Sequence, residues 1–247
     1  MTEDMRPVNP ENLMKFNCSA ENDCFNDCCQ DLNQALTPYD ALRLKNNLGI
    51  SSQDFLKTYT SMHFGPESGL PVIEFKPNPG KRYECPFVTP QGCSVYEDRP
   101  GSCRMYPLAR AITRSRQTGE ITQYFALIEE PHCKGFGREA RHTVKQWLKS
   151  QDVDKHNKEN DKLMELISLK NQILPGKLEG AQSDIFYLAL YDLDEFLAQI
   201  LEKDLLKEFT IPFDLLRKIK TDDEALLNLG LSWVKYMLFG VNIIFGE

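Results

Sequence analysis

Eight cysteines are the residues of this chain with the clearest capacity for chemistry, and they are unevenly spread. Cys18, Cys24, Cys28 and Cys29 crowd into "NCSAENDCFNDCC"; Cys85, Cys93 and Cys103 follow in the middle; Cys133 comes last, and the rest of the chain has none. An isolated buried cysteine behaves as a small hydrophobe. Four thiols set among Asn17, Glu21, Asn22, Asp23, Asn26 and Asp27 do not read as core. A chain of 247 residues can bury a hydrophobic core without disulfide staples. The opening "MTEDMRPVNPENLMKF" lacks the apolar run of a secretory signal, so a cytoplasmic location is expected. There thiols stay reduced, and clustered cysteines point to a metal or redox site rather than a disulfide framework.

Spacing narrows the kind of site. Zinc ribbons and knuckles use C-x2-C pairs, in which a tight turn aims two sulfurs at one tetrahedral ion. None occurs here: the N-terminal set runs C-x5-C-x3-C-C. The bacterial ferredoxin run is also missing, although Pro86 follows Cys85 as a proline follows that run's last ligand. A radical S-adenosylmethionine site, C-x3-C-x2-C, is begun by Cys24 and Cys28 and fails at Asp31. Neighbouring side chains diverge, so Cys28 and Cys29 are expected to serve two different centres, or one of them to bridge two ions. Eight thiolates divide into two four-sulfur sites suited to zinc or iron–sulfur clusters, each drawing on distant segments. The lack of zinc-knuckle spacing tilts the reading towards iron–sulfur. Among the histidines, His132 beside Cys133 is the one placed as an alternative ligand; with eight thiols at hand it reads as a solvated neighbour.

The elements that must position these thiols form an α+β arrangement. "LTPYDALRLKNNLGI" predicts a helix with Thr37 as N-cap, Pro38 in the first turn and Gly49 as its stop. A second helix follows Ser51 or Ser52 through "QDFLKTY". "LPVIEFKP" and "YECPFVT" predict short strands, and "LARAITRSRQTGEITQYFALIEE" a hairpin joined around "RQTGE". From "REARHTVKQWLKSQ" onward apolar residues recur at three and four, predicting three to five helices with breaks at "LPGKLEG" and "FTIPF". The chain thus divides into a small, loop-rich, metal-centred cysteine domain over 14–150 and an all-α region over 151–247. The final "GLSWVKYMLFGVNIIFGE" holds Lys235 and Asn242 and falls short of a membrane span; a docked helix is expected. A net charge of -7 argues against nucleic acid and against an anionic membrane surface as partners.

The block "ECPFVTPQGCSVYEDRPGSCRMYPL", with "FNC" and the C, CC pattern before it and "PHCKGFG" after it, resembles the bacterial cysteine-cluster family of YkgJ-like proteins, a zinc- or iron-chelating domain of CxxCxxCC type. The resemblance covers roughly residues 14 to 140 and departs from the family in the looser spacing of the first cluster. It implies that Cys18, Cys24, Cys28, Cys29, Cys85, Cys93, Cys103 and Cys133 are the metal ligands. Within "VYEDRPGSCRMYP", Tyr96, Arg99 and Arg104 are expected to stand behind the ligands, the arginines offsetting thiolate charge, with proline and glycine shaping the turn.

Three functions follow as expectations. The first is a metal-binding protein with zinc or iron–sulfur centres in a structural, redox or metal-handling role. The second is an S-adenosylmethionine-dependent lysine methylase, because flagellin methylases resemble this cysteine domain. The third is a partner-binding module in which the metal staples the fold and the C-terminal helices dock a protein. No glycine-rich nucleotide loop follows a strand, which favours a non-enzymatic reading.

Overall fold

Local signals place the first helices. The computed structural model describes residues 5–31, 33–115 and 117–243; Arg116 of the "RQTGE" turn, the first four residues and residues 244–247 lie outside them. Thr37 caps α1 (Pro38–Leu48) through a reciprocal capping box with Asp40, and Gly49 ends it at φ 64, a left-handed turn that suits glycine. Ser51 caps α2 (Ser52–Tyr59) by accepting from the Asp54 N–H. The expected helices are both present.

Contacts divide the chain into two units, Met1–Leu32 with Asn78–Asn157 and Asn33–Pro77 with Lys158–Glu247. In the first, β1 (Met5–Val8) and β8 (Leu108–Arg114) flank β9 (Ile121–Ile128) in an antiparallel sheet. The β8–β9 hairpin closes with Arg114 opposite Ile121, as the alternating sequence predicts. A second sheet pairs β2 (Leu13–Phe16) with β10 (Phe136–Thr143), and a small hairpin pairs β6 (Val88–Thr89) with β7 (Gly92–Cys93). Helices α3 (Gly101–Met105) and α4 (Val144–Ser150) complete the unit. Its core gathers Val8, Met14, Phe16, Leu108, Phe125, Leu127 and Val144, with Tyr106, Cys133 and Trp147 packed against it.

The second unit sets β3 (Ala35–Leu36), β5 (Pro71–Phe75) and β4 (Thr60–Phe64) into an antiparallel sheet in the order β3-β5-β4. It adds α1 and α2 to α5 (Asp154–Ile173, whose first turn carries the boundary), α6 (Ala181–Leu190), α7 (Leu193–Glu202), α8 (Phe213–Lys218) and α9 (Asp223–Phe239). Helices α6 and α9 approach closely at Gly230, where a Cβ would run into the Ala189 carbonyl. Residues 33–77, which a linear division at 150 leaves with the cysteines, are held to the C-terminal helices by specific bonds. Buried Lys45 pairs with Asp223 at 2.8 Å, Ser52 Oγ donates to Asp192 at 2.7 Å, and Tyr191 Oη donates to the Leu36 carbonyl at 3.0 Å.

Three expectations are corrected. "YECPFVT" supplies only the two residues of β6, because Arg82 and Tyr83 both take left-handed φ of 54 and Pro86 has no N–H to give a ladder. "REARHTV" is the end of β10 rather than the start of a helix; its register with β2 runs to Thr143↔Leu13, and Thr143 then caps α4 in a box with Gln146. From "REARHTVKQWLKSQ" onward six helices, α4 to α9, stand among the described residues, one more than the three to five expected, and no helix is long and apolar enough to cross a membrane.

Candidate metal centre

Each cysteine of the first cluster is fixed by bonds to a distant segment. Strand β2 ends at Phe16, fully buried and edge-on to Trp147 at 5.3 Å. Just past it the Asn17 N–H donates to the Gly135 carbonyl at 3.0 Å, which brings Cys18 beside the segment of Cys133. Buried Asn22 holds the first bend by donating Nδ2 to the Asn17 carbonyl at 2.7 Å. The Lys134 N–H donates to Cys24 Sγ at 3.1 Å, so a backbone dipole already faces that sulfur.

The second half of the cluster is tied elsewhere. Asn26 sits at a left-handed φ of 71 and donates Nδ2 to the Thr89 carbonyl at 2.8 Å, pinning the loop to the β6–β7 hairpin that carries Cys93. A 3-10 turn over Asp27–Cys29 follows. The Cys85 N–H donates to the Cys29 carbonyl at 2.8 Å, and the Asp31 N–H to the Arg82 carbonyl at 3.0 Å. One end of the cluster therefore faces Cys133, and the other faces Cys85 and Cys93.

The sulfurs feel one another. Burial, then the charges of Cys28, Cys133 and Cys24, push the Cys18 thiol from its ordinary 9.0 up to about 11. Burial also pushes Cys85 up to about 11, helped by Cys93 and Cys28, while hydrogen bonds from the backbone of Phe87 and Val88 pull the other way. Cys93 is raised by burial and by Cys28 against the opposing pull of the Val95 backbone and the Arg99 charge. Cys28 is raised most: its side chain shares a hydrogen bond with that of Cys29, and burial, the Cys29 charge and Glu130 add to it. The charge of Cys28 thus bears on Cys18, Cys85 and Cys93. The adjacent pair lies in the 3-10 turn that follows left-handed Asn26. Cys103 lies exposed on α3, within electrostatic reach of Arg99.

The three residues placed behind the ligands divide in role. Arg99 is buried, stacks its guanidinium 3.7 Å over the Tyr96 ring and donates to Gln151 Oε1 at 2.7 Å. Burial, and then the Arg104 charge, lower its pKa, while Tyr96, Cys103 and Cys93 act to raise it. Arg104 is engaged with backbone: it donates to the carbonyls of Arg99 at 3.2 Å, Gln151 at 3.1 Å and Glu97.

Two residues escape a reading based on cysteine spacing. The Tyr106 hydroxyl donates to Glu130 Oε2 at 2.9 Å and is also hydrogen-bonded to Cys133; burial, then these two partners, raise its pKa. Their sequence signal is proximity alone, Tyr106 in "CRMYP" and Glu130 in "EEPHC". His132 Nε2 stands 3.7 Å from the same Glu130 oxygen.

None of the eight cysteines is in a disulfide, and Cys24, Cys29, Cys85, Cys93 and Cys133 are half-buried. Crowded thiols whose ionisation is opposed by burial and by one another, yet whose sulfurs already receive backbone N–H groups, suit a soft or borderline cation, which reverses the penalty on the thiolate. In kind the donors fit zinc or iron. Among the described residues no three His, Cys, Asp or Glu side chains yet surround a single point as a finished ligand shell. Comparison with curated proteins and with solved structures finds no significant match. Residues 17–134 match the family model described as "CxxCxxCC: Putative zinc- or iron-chelating domain". That span, just under half of the chain, includes every cysteine discussed above, and over it the chain is similar to this cysteine-cluster family.

Proposed function

We propose that this chain is a cytoplasmic metal-binding protein whose Cys18, Cys24, Cys28, Cys29, Cys85, Cys93, Cys103 and Cys133 hold zinc or an iron–sulfur centre. The observation that supports it is that the first cluster is bonded to the Cys85 loop, Cys85 N–H to the Cys29 carbonyl at 2.8 Å, while the charge of Cys28 bears on Cys18, Cys85 and Cys93. A bound ion supplies positive charge at the point where thiolates otherwise repel, and it cross-links segments far apart in sequence. The chain's own part is to gather the thiols, to aim the N–H of Lys134 at Cys24, and to set the Arg99 charge beside Cys93. The ligand pattern without C-x2-C pairs keeps a lean towards iron–sulfur over an ordinary zinc knuckle. Metal quantification on anaerobically purified protein tests the proposal. Near-stoichiometric iron with brown colour supports a cluster, colourless protein with tightly held zinc supports zinc, and folded metal-free protein with eight reactive thiols refutes both.

A further inference from the structure

We propose that Asn26 is the positioning residue of this centre, a latch that joins the Cys28–Cys29 turn to the hairpin carrying Cys93 and so sets the rate at which a metal ion is taken up. The inference rests on the metal-binding reading and adds to it a residue that supplies no ligand. Asn26 is engaged through both backbone and side chain. Its carbonyl accepts the Cys29 N–H at 3.0 Å, which closes the turn, and its Nδ2 donates to the Thr89 carbonyl at 2.8 Å, which ties that turn to β6.

Both bonds are made from φ 71 and ψ -2, a left-handed conformation that asparagine tolerates better than most residues with a side chain. Of the six non-glycine residues with positive φ among those described, Asn26, Asp31, Arg82 and Tyr83 stand on the two loops that lead to Cys28, Cys29 and Cys85. Such conformations persist only where surrounding bonds hold them. The hairpin can pass the constraint on to Cys93: Thr89 Oγ1 donates to the Gly92 carbonyl at 2.8 Å, the Ser94 N–H donates to the Phe87 carbonyl at 2.9 Å, and Val88 pairs with Cys93. Phe25 adds a second contact, since a Cβ on Gly92, at φ 115, would stand 3.1 Å from Phe25 Cζ. Cys28, Cys29 and Cys93 are thus carried on joined segments, while no three donors among the described residues surround one point. The last closure is left to the ion, and the latch limits how far that closure has to go. Once bound, the ion holds both segments itself, so the contribution of Asn26 falls on uptake and not on release.

The test follows Zn2+ uptake on the full reduced chain by stopped flow, and Zn2+ release into excess chelator. Asn26→Gly keeps the left-handed backbone and removes only the amide. Uptake is expected to slow about 2- to 10-fold, the worth of one hydrogen bond, with release unchanged. Asn26→Ala also meets the left-handed penalty and is expected to slow uptake by about 5- to 30-fold more. Phe25→Leu, which leaves Asn26 untouched, is expected to slow uptake in the same direction. In the metal-free chain Cys93 should be alkylated faster in Asn26→Gly than in wild type, while Cys103 on α3 keeps its rate. A merely structural part for Asn26 would speed release, or would raise the reactivity of Cys93 and Cys103 alike. Either result, or unchanged uptake in Asn26→Gly, overturns the latch and leaves the cysteine centre standing. A wild-type chain that takes up no Zn2+ removes the metal-binding reading itself, and this proposal with it.

Discussion

The backbone N–H of Cys85 donates to the carbonyl of Cys29 at 2.8 Å, joining two cysteine-bearing loops whose sequence positions are separated by α1, α2 and three strands of the other unit. The bond places the thiols of the 3-10 turn in reach of Cys85 and Cys93 before any ion arrives. It also makes the electrostatics of this junction measurable.

With reductant and chelator present, stability is expected to fall as pH rises from about 9 to about 11. Cys18 and Cys85 have folded-state pKa values raised from 9.0 to about 11, so in that window the unfolded chain binds fewer protons than the folded one and the slope of stability against pH is negative. Metal-loaded protein, in which the thiolate is the favoured form, should lack that fall. Urea midpoints followed by circular dichroism decide it, and a flat metal-free profile contradicts the burial of these thiols.

Cys28→Ser should lose far more metal than Cys103→Ser. The first removes the thiol whose charge bears on Cys18, Cys85 and Cys93, while the second removes a thiol on α3 whose charge bears on Arg99. Metal-to-protein ratios after gel filtration read the difference; equal losses would show that Cys28 has no special place.

Arg104→Lys is expected to cost about 2–3 kcal/mol, because an ammonium cannot span the carbonyls of Arg99, Gln151 and Glu97 that the guanidinium serves, and the abandoned acceptors are part-buried. The chain's two tryptophans, Trp147 and Trp233, fall one in each unit. Fluorescence denaturation in a Trp233→Phe background therefore reports on the cysteine unit alone. A change below about 0.5 kcal/mol would mean that the turn holds without this residue.

Gly230→Ala should destabilise the helical unit by about 1–3 kcal/mol, since its methyl group collides with the Ala189 carbonyl where α6 and α9 pass. Metal content per folded protein should be unchanged. Loss of metal in step with loss of helix would show that the two units are energetically one.

What the sequence makes legible is what local physics decides. Thr37, Asp40 and Gly49 bound α1 through bonds made within a few residues, and the β8–β9 hairpin follows from alternation around a turn. "REARHTV" is misleading because its strand character comes from pairing with β2, more than a hundred residues earlier, and nothing nearby encodes that partner. The grouping of residues 33–77 with the C-terminal helices rests on Lys45–Asp223 and Tyr191–Leu36, contacts of equally long range. At the candidate centre the cysteines announce themselves by type and number. The place of Cys28 among them depends on a left-handed Asn26, a conformation that spacing does not reveal. Tyr106 and Glu130 carry no motif at all and emerge only as neighbours of Cys133 and Cys28.

The interleaving of the two units has a consequence for synthesis. Ribosomes make about 5–20 residues per second, and roughly a hundred residues separate Cys29 from Cys133, so the first four thiols wait on the order of 5–20 seconds for their last partner. During that interval the nascent chain also emits α1, α2 and the sheet β3-β5-β4, whose own packing partners are made later still. On the proposed ligand set, loading of the ion is a late event in the life of the molecule, and the early cysteines are most open to oxidants and to the wrong metals while the chain is still being made.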